Sequence, residues 1–404
     1  MNKQLLADKI LLLTLDFPPK IGGVACYYHG LCNALKNKIV VLTVKASLAR
    51  RTTRNLDITT QKGFIVYRCK LESEKRIFGF LPRWLPSIYN TFKIVKKEKI
   101  SLLAVGNILP LGYVAYLIKI FKKKPYTVFT HGYDIMLAAC SVWKKFWAKF
   151  ILKNACQIFA NSQFTKAQII KHYQIAENKI KIVYPGVAEE LIKKAETTRE
   201  AIQYPISANS ISQFPNFPIS QFHLLTVARL QARKGLDTAI ESLPSVIKII
   251  SNLKYTIVGE GPDRSRLQTI VKQLNLASYV EFAGAKNQDE LIEYYRQADI
   301  FILTPRQIGP DAEGFGIVYL EANLFGLPVI GSKTGGVPEA VLDNQTGLLV
   351  KPQNSKELAK AIIRLYQNAN WRRQLGRQGR ERVLGEFRWV LYDIQEFFME
   401  ALFF

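Results

Sequence analysis

Two glutamates, Glu313 and Glu321, stand eight positions apart with Gly314, Phe315, Gly316 and Ile317 between them. The run just before them, 299–304 (D-I-F-I-L-T), is short, apolar and β-branched and reads as a buried strand. A polar loop with Arg306, Gly309, Pro310 and Asp311 follows. From Gly316 the periodicity turns helical, with Ile317, Leu320 and Leu324 on one face. Amides at such a helix start have no intrahelical partner and face outward, and the helix dipole adds to their pull on an anion. Glu313 lies just before that helix and Glu321 two turns inside it. One carboxylate can therefore reach a ligand beside its anionic group, and the other a more distant part of the same ligand. Paired hydroxyls, as on a sugar or a ribose, suit carboxylates.

Further groups sit at comparable strand ends. Arg229 and Lys234 follow the strand reading at 222–228, where two cations can meet a diphosphate and stabilise it as it leaves. The run 126–130 reads as a strand delivering T-H-G-Y-D at 130–134, so His131 lies where open α/β sheets bind ligands. Gly22 and Gly23 end the string F-P-P-K-I-G-G after a first strand at 9–15. Two glycines at a strand-to-helix turn let a ligand approach the backbone closely, and the helix they open carries Tyr27, Leu31 and Leu35.

The string E-G-F-G-I-V-Y-L-E-A, followed by G-L-P-V-I-G-S-K-T-G-G-V-P-E, resembles the retaining glycosyltransferases of family 4. Glu313 and Glu321 match that family's Glu-x7-Glu, Arg229 and Lys234 its R-x4-K, and the H-G-x-D string resembles its counterpart. The resemblance implies a GT-B fold: an α/β protein of two Rossmann-like domains facing each other across a cleft, with a last helix returning to the first domain. It implies that Glu321 takes the ribose, and that Arg229, Lys234 and the amides of Gly314, Phe315, Gly316 and Ile317 take the diphosphate. It sets Glu313 and His131 on the transferred sugar and the glycine pair against the donor and acceptor. Front-face retention, without a metal, is the mechanism it implies. Arg306 before D-x-E-G-F-G-I-V-Y-L-E-A looks most like the phosphatidylinositol mannosyltransferases, which use GDP-mannose. A UDP-sugar donor, serving a surface polysaccharide or glycolipid, is the alternative. The acid that the family carries after P-G-V is replaced here by Ala188.

Composition sets the frame. A chain of 404 residues is long for one core and suits two domains. Residues 1–190 hold 31 Lys and Arg against 10 Asp and Glu, so +21 of the net +24 lies in the first half. Such a field draws polyanions, either an anionic lipid surface or a nucleic acid. The basic residues are mixed with large aromatics in 75–99 and in 143–153 (W-K-K-F-W-A-K-F-I-L-K). That mixture favours a membrane surface and a lipid-linked acceptor over a nucleic-acid module.

Five cysteines without C-x-x-C spacing read as buried free thiols of a reducing cytosol. Scattered histidines and the lack of a D-x-D element give no metal site. The start lacks a secretory pattern, so the expected location is cytoplasmic, peripheral to the inner face of the membrane. The uncharged run 100–118 is long enough to suggest a membrane span, but Gly106, Asn107, Pro110 and Gly112 break it into a strand, a loop and a helix. The domains expected are 1–190, which binds acceptor, a Pro- and Ser-rich linker at 191–221, a sugar-nucleotide domain at 222–386, and a helix at 387–404.

Overall fold

The computed structural model describes residues 9–45, 57–61, 63–71, 84–197, 221–391 and 398. The chain divides into two compact units, one made of Met1–Gly186 with Trp389–Phe404 and the other of Val187–Arg388. Both are α/β.

In the first unit the elements run β1 (Lys9–Thr14), α1 (Gly23–Leu35), β2 (Ile39–Val44), β3 (Asp57–Gln61), β4 (Phe64–Cys69), α2 (Leu85–Lys97) and β5 (Ile100–Val105). Then come α3 (Leu111–Lys122), β6 (Tyr126–Thr130), α4 (Tyr133–Ala139), α5 (Val142–Asn154), β7 (Ile158–Ala160), α6 (Gln163–Tyr173) and β8 (Ile180–Ile182). The sheet order is β3-β4-β2-β1-β5-β6-β7-β8. Pairings are parallel except β3 with β4, a hairpin edge that the polar D-I-T-T-Q did not signal. Strands covered on both faces are apolar throughout, and β1 shows why. Its Leu11 and Leu13 enter one core with Val40 and Val128, while Ile10 and Leu12 enter another with Val41 and Phe129.

The second unit holds α7 (Glu189–Thr197), β9 (Phe222–Val227), α8 (Leu236–Val246), β10 (Leu253–Val258), α9 (Arg264–Gln273), β11 (Val280–Gly284) and α10 (Gln288–Gln297). It continues with β12 (Ile300–Ile302), α11 (Ile317–Leu324), β13 (Val329–Ser332), α12 (Val337–Ala340), β14 (Gly347–Val350), α13 (Ser355–Gln367) and α14 (Ala369–Glu386). Its sheet runs β11-β10-β9-β12-β13-β14, with parallel pairings. The chain leaves β9 toward β10 and β11 and returns on the other side as β12. The carboxyl ends of β9 and β12 therefore form a switch point, where loops diverge and leave a crevice. In the first sheet the same reversal falls between β1 and β5.

Several expectations need correction. The stretch expected to be linker starts as helix, because α7 reaches Thr197 and its Leu191, Ile192 and Ala195 are buried; 198–220 lie outside the described residues. The segment from 387 does not begin as a helix. Phe387 and Arg388 belong to the second unit, Trp389–Leu391 is one 3-10 turn, and beyond it only Phe398 is described. Trp389 nevertheless returns to the first unit, where it packs edge-on against Tyr27. The cysteines are free but not all buried: Cys32 and Cys69 are, whereas Cys26 and Cys140 are exposed. The run 100–118 needs no correction: it is β5 followed by α3 as expected, and among the described residues no helix is long and apolar enough to cross a membrane. Residues 75–83 of the basic aromatic stretch lie outside the described residues.

Candidate active site

In the second unit the turn after β9 and the loop after β12 pass at backbone contact. Gly235 has φ 69°, and a Cβ there would stand 1.9 Å from the Thr304 carbonyl oxygen, so the close approach requires glycine. Arg306 ties the two segments further. Its backbone N–H donates to the Arg233 carbonyl at 2.7 Å and its Nε to the Ala232 carbonyl at 3.1 Å. Its guanidinium also pairs with buried Asp237, which accepts from Arg266 at 3.0 Å as well. Arg306 thus positions the cationic turn.

That turn delivers Arg233 and Lys234 onto Glu313. Arg233 Nη1 donates to Glu313 Oε2 at 2.9 Å, and Lys234 Nζ donates to the same oxygen. Arg233 Nε lies 3.0 Å from Asp311 Oδ1. The Lys234 and Glu313 side chains are each only 12% exposed, so water screens their attraction weakly. Burial would raise the Glu313 carboxyl, but Lys234 and Arg233 outweigh it and hold it at about 2. Glu313 is a fixed carboxylate at neutral pH. Behind it, Gly336 N–H donates to the Glu313 carbonyl at 2.9 Å, and a Cβ on Gly335 would stand 2.2 Å from that carbonyl oxygen. The β13–α12 turn thus presses directly on the Glu313 backbone.

Gly314 and Phe315 are buried, and Gly316 caps α11 at φ 97°, so Ile317 is its first helical residue. The first amides of a helix have no partner four residues back and can meet an anion, although here the Tyr319 N–H already donates to the Gly316 carbonyl at 3.1 Å. Glu321, two turns on, accepts from Tyr295 Oη at 2.9 Å, and the Tyr295 ring stacks on Phe325 at 5.4 Å and 7°. Burial raises the Glu321 pKa against the Tyr295 hydrogen bond. Arg229 is exposed at the end of β9.

In the first unit Gly22 is the N-cap of α1, which Gly23 begins. His131 follows β6. Its Nε2 lies 2.7 Å from Tyr28 Oη, and the Tyr27 and Tyr28 rings stand edge-on to it at 5.0 and 5.2 Å. Burial lowers His131 to about 4, which leaves the imidazole neutral. Asp134 Oδ1 accepts from the His131 backbone N–H at 3.0 Å, and burial raises this carboxyl to about 6.

Of the residues singled out by sequence, Lys234 and Glu313 are in direct contact, and Gly314 through Glu321 form one loop and helix beside them. Gly22, Gly23 and His131 belong to the other unit. Sequence reasoning missed Arg233, although a second cation beside Lys234 in A-R-K was the signal. It also missed Asp311 as a partner of Arg233, and it had no signal for Tyr295, whose role depends on α10 packing beside α11. No group of three His, Cys, Asp or Glu placed to hold a metal occurs among the described residues.

Residues 21–191 match the family model Glycosyltransferase Family 4, and residues 208–382 match Glycosyl transferases group 1. The chain belongs to this glycosyltransferase family. The glycosyltransferase is 26% identical over 386 residues to a GDP-mannose-dependent alpha-(1-6)-phosphatidylinositol monomannoside mannosyltransferase of Mycobacterium tuberculosis, with 95% of each chain covered. It superimposes on sucrose-phosphate synthase from Thermosynechococcus elongatus with a TM-score of 0.75, at 23% identity and 98% coverage of both chains. Against HepE of Anabaena, solved in complex with UDP and glucose, the TM-score is 0.74 at 20% identity, covering 98% of this chain and 99% of that one. The glycosyltransferase therefore has the GT-B fold and is a hexosyltransferase.

Proposed function

We propose that this glycosyltransferase transfers mannose from GDP-mannose, with retention, onto a lipid-linked or glycan acceptor at the cytoplasmic face of the membrane. The observation that carries the reading is Glu313, held ionised by Arg233 and Lys234 at the β9/β12 switch point and followed by the α11 amides. In this reading Glu321 accepts from the ribose hydroxyls and Glu313 from hydroxyls of the sugar, and His131 meets the sugar as the resemblance implies. Negative charge grows on the diphosphate as its bond to the anomeric carbon breaks. Arg229, Lys234 and the amides of Phe315, Gly316 and Ile317 oppose that charge without reorganising, which lowers the barrier without a metal. The acceptor hydroxyl attacks from the face the diphosphate leaves and passes its proton to the departing phosphate oxygen.

GDP-mannose as donor is supported by the likeness to the GDP-mannose-dependent mycobacterial mannosyltransferase. A UDP-sugar donor is the second reading, favoured by the UDP and UDP-glucose complexes of HepE. The membrane is supported by α5, where Val142, Trp143 and Phe146 are exposed beside exposed Lys144 and Lys145. Next to them a groove of about 370 Å³ is lined by Trp84, Tyr113, Trp143 and Trp147.

Calorimetric titration with GDP, UDP, ADP and their sugar conjugates, in EDTA and again with Mg²⁺, tests the reading. Selective binding of GDP and GDP-mannose in EDTA is expected. Selective UDP binding would transfer the function to the second reading, and binding of none would remove the donor-site assignment.

A further inference from the structure

We infer that Tyr28 fixes the tautomer of His131, so that Nδ1 faces its ligand as a bare acceptor and demands a sugar group that donates a hydrogen bond. The inference deepens the proposed function and rests on it for the identity of that ligand.

Proton counting carries it. The Tyr28 hydroxyl has one hydrogen and two close neighbours, the Gly106 carbonyl oxygen at 2.8 Å and His131 Nε2 at 2.7 Å. A carbonyl oxygen can only accept, so the hydroxyl hydrogen is committed to Gly106. Nε2 must then be the N–H that donates to Tyr28 Oη. The opposite assignment would set the hydroxyl lone pairs against the Gly106 carbonyl in a site without water to relieve them, since Tyr28 is fully buried. With one proton on a neutral ring, Nδ1 is left bare, and it has no partner among the described residues.

The arrangement has little slack. The Tyr28 ring is wedged edge-on between Tyr27 at 5.6 Å and Phe129 at 6.0 Å. A Cβ on Gly106 would stand 2.9 Å from Tyr28 Oη and from Thr14 Cβ, and the Gly106 N–H donates to the Leu13 carbonyl at 2.7 Å, so the residue that sets the direction is closely packed and tied to β1. The His131 backbone is held separately by Asp134. The charged group that favours recharging the imidazole is Asp16, which is itself bound by Lys20 and Asn107; Asp134 meets the His131 backbone N–H. Tyr28 is therefore a positioning residue: it reaches the ligand only through the proton it places on His131.

The chemical consequence is selectivity. A bare imidazole nitrogen binds a hydroxyl and cannot bind a fluorine, an ether oxygen or a carboxylate in its place. Removing the donor from the sugar should lower kcat/KM about 10-fold to 100-fold at one ring position.

Nitrogen-15 NMR of the wild-type protein at neutral pH tests the first part, because protonated and bare ring nitrogens resonate far apart. The His131→Gln variant assigns the signals among the four histidines. The expected result is Nε2–H with Nδ1 bare, collapsing to a mixture of tautomers in Tyr28→Phe. An Nδ1–H tautomer or an imidazolium at His131 in the wild type would overturn the inference, whether or not Tyr28→Phe folds. Sugar-nucleotide donors carrying fluorine or hydrogen at each hydroxyl in turn test the second part. At one position fluorine should be as poor as hydrogen. If fluorine is tolerated at every position, the bare-acceptor role is wrong. If no nucleotide sugar binds while the NMR result holds, the proposed function falls and the tautomer assignment stands.

Discussion

Arg233 Nη1 and Glu313 Oε2 meet at 2.9 Å across 80 residues of sequence, and Lys234 donates to the same carboxylate oxygen. One carboxylate thus partly matches two cations before any ligand arrives. A diphosphate entering this turn would compete with Glu313 for Lys234, and releasing Glu313 would free it toward the sugar.

Glu313→Ala should therefore separate two functions. Transfer should fall at least about 100-fold, whereas the affinity for nucleoside diphosphate should be kept or tightened, because Lys234 loses the carboxylate it pairs with while Arg233 keeps Asp311. Kinetics and calorimetry on one preparation measure both. Equal loss of the two would refute the division of roles between Glu313 and Glu321. Arg233→Ala should reduce kcat/KM about 10-fold to 100-fold through a loosened Glu313, in keeping with a charge-assisted hydrogen bond of about 1.5–3 kcal/mol.

Tyr295→Phe keeps the ring stacked on Phe325 and removes the hydroxyl that donates to Glu321. Nucleotide affinity should weaken about 5-fold to 10-fold, near 1 kcal/mol, with kcat at saturating donor little changed. A loss confined to kcat, with the nucleotide Kd unaltered, would argue against Tyr295 acting through Glu321.

Stability should depend on acid in a way that two neighbours set with opposite signs. His131 lies at about 4 in the fold against an ordinary 6.5. Between those values the unfolded chain binds more protons, so stability is lost as pH falls from 6.5 toward 4, by roughly 2–3 kcal/mol from this group. Asp134 lies at about 6 against 3.8. Between those values the folded state binds more protons, so acidification restores stability. Asp134→Asn removes the opposing contribution, and its stability should fall more steeply than the wild type's between pH 6 and 4. Urea titrations at stepped pH measure the slopes; a slope no steeper than the wild type's would show that Asp134 does not titrate there.

Replacing Lys144, Lys145 and Lys149 with Glu should weaken binding to anionic vesicles by about 100-fold or more, from roughly 1 kcal/mol for each basic residue near the surface. Binding to zwitterionic vesicles should change little. Unchanged cosedimentation with anionic vesicles would remove the membrane reading of α5.

How much of this was written in the sequence depends on the range of each signal. The strand-to-helix turns bearing Gly22, His131, Arg229 and Gly316 were legible because a buried parallel strand is a short apolar run and the glycines follow it directly. The family string singled out Glu313, Glu321 and Lys234 before any fold was known. The polar edge strand β3 was not legible, since its Thr residues face water and show no apolar alternation. Helix α7 was hidden by the Pro- and Ser-rich composition that follows it.

Only the tertiary structure decided who meets whom. The pairing of Arg233 and Lys234 with Glu313 depends on β9 and β12 lying side by side, which no local pattern encodes. Arg306 became the tie to Asp237 and to the Ala232 and Arg233 carbonyls for the same reason. The protonation of His131 depends on Tyr28 and Gly106, brought together from α1 and the end of β5. Chemistry that a residue can do is written in its type; whether it is charged, aimed and dry is written in contacts between segments far apart in the chain.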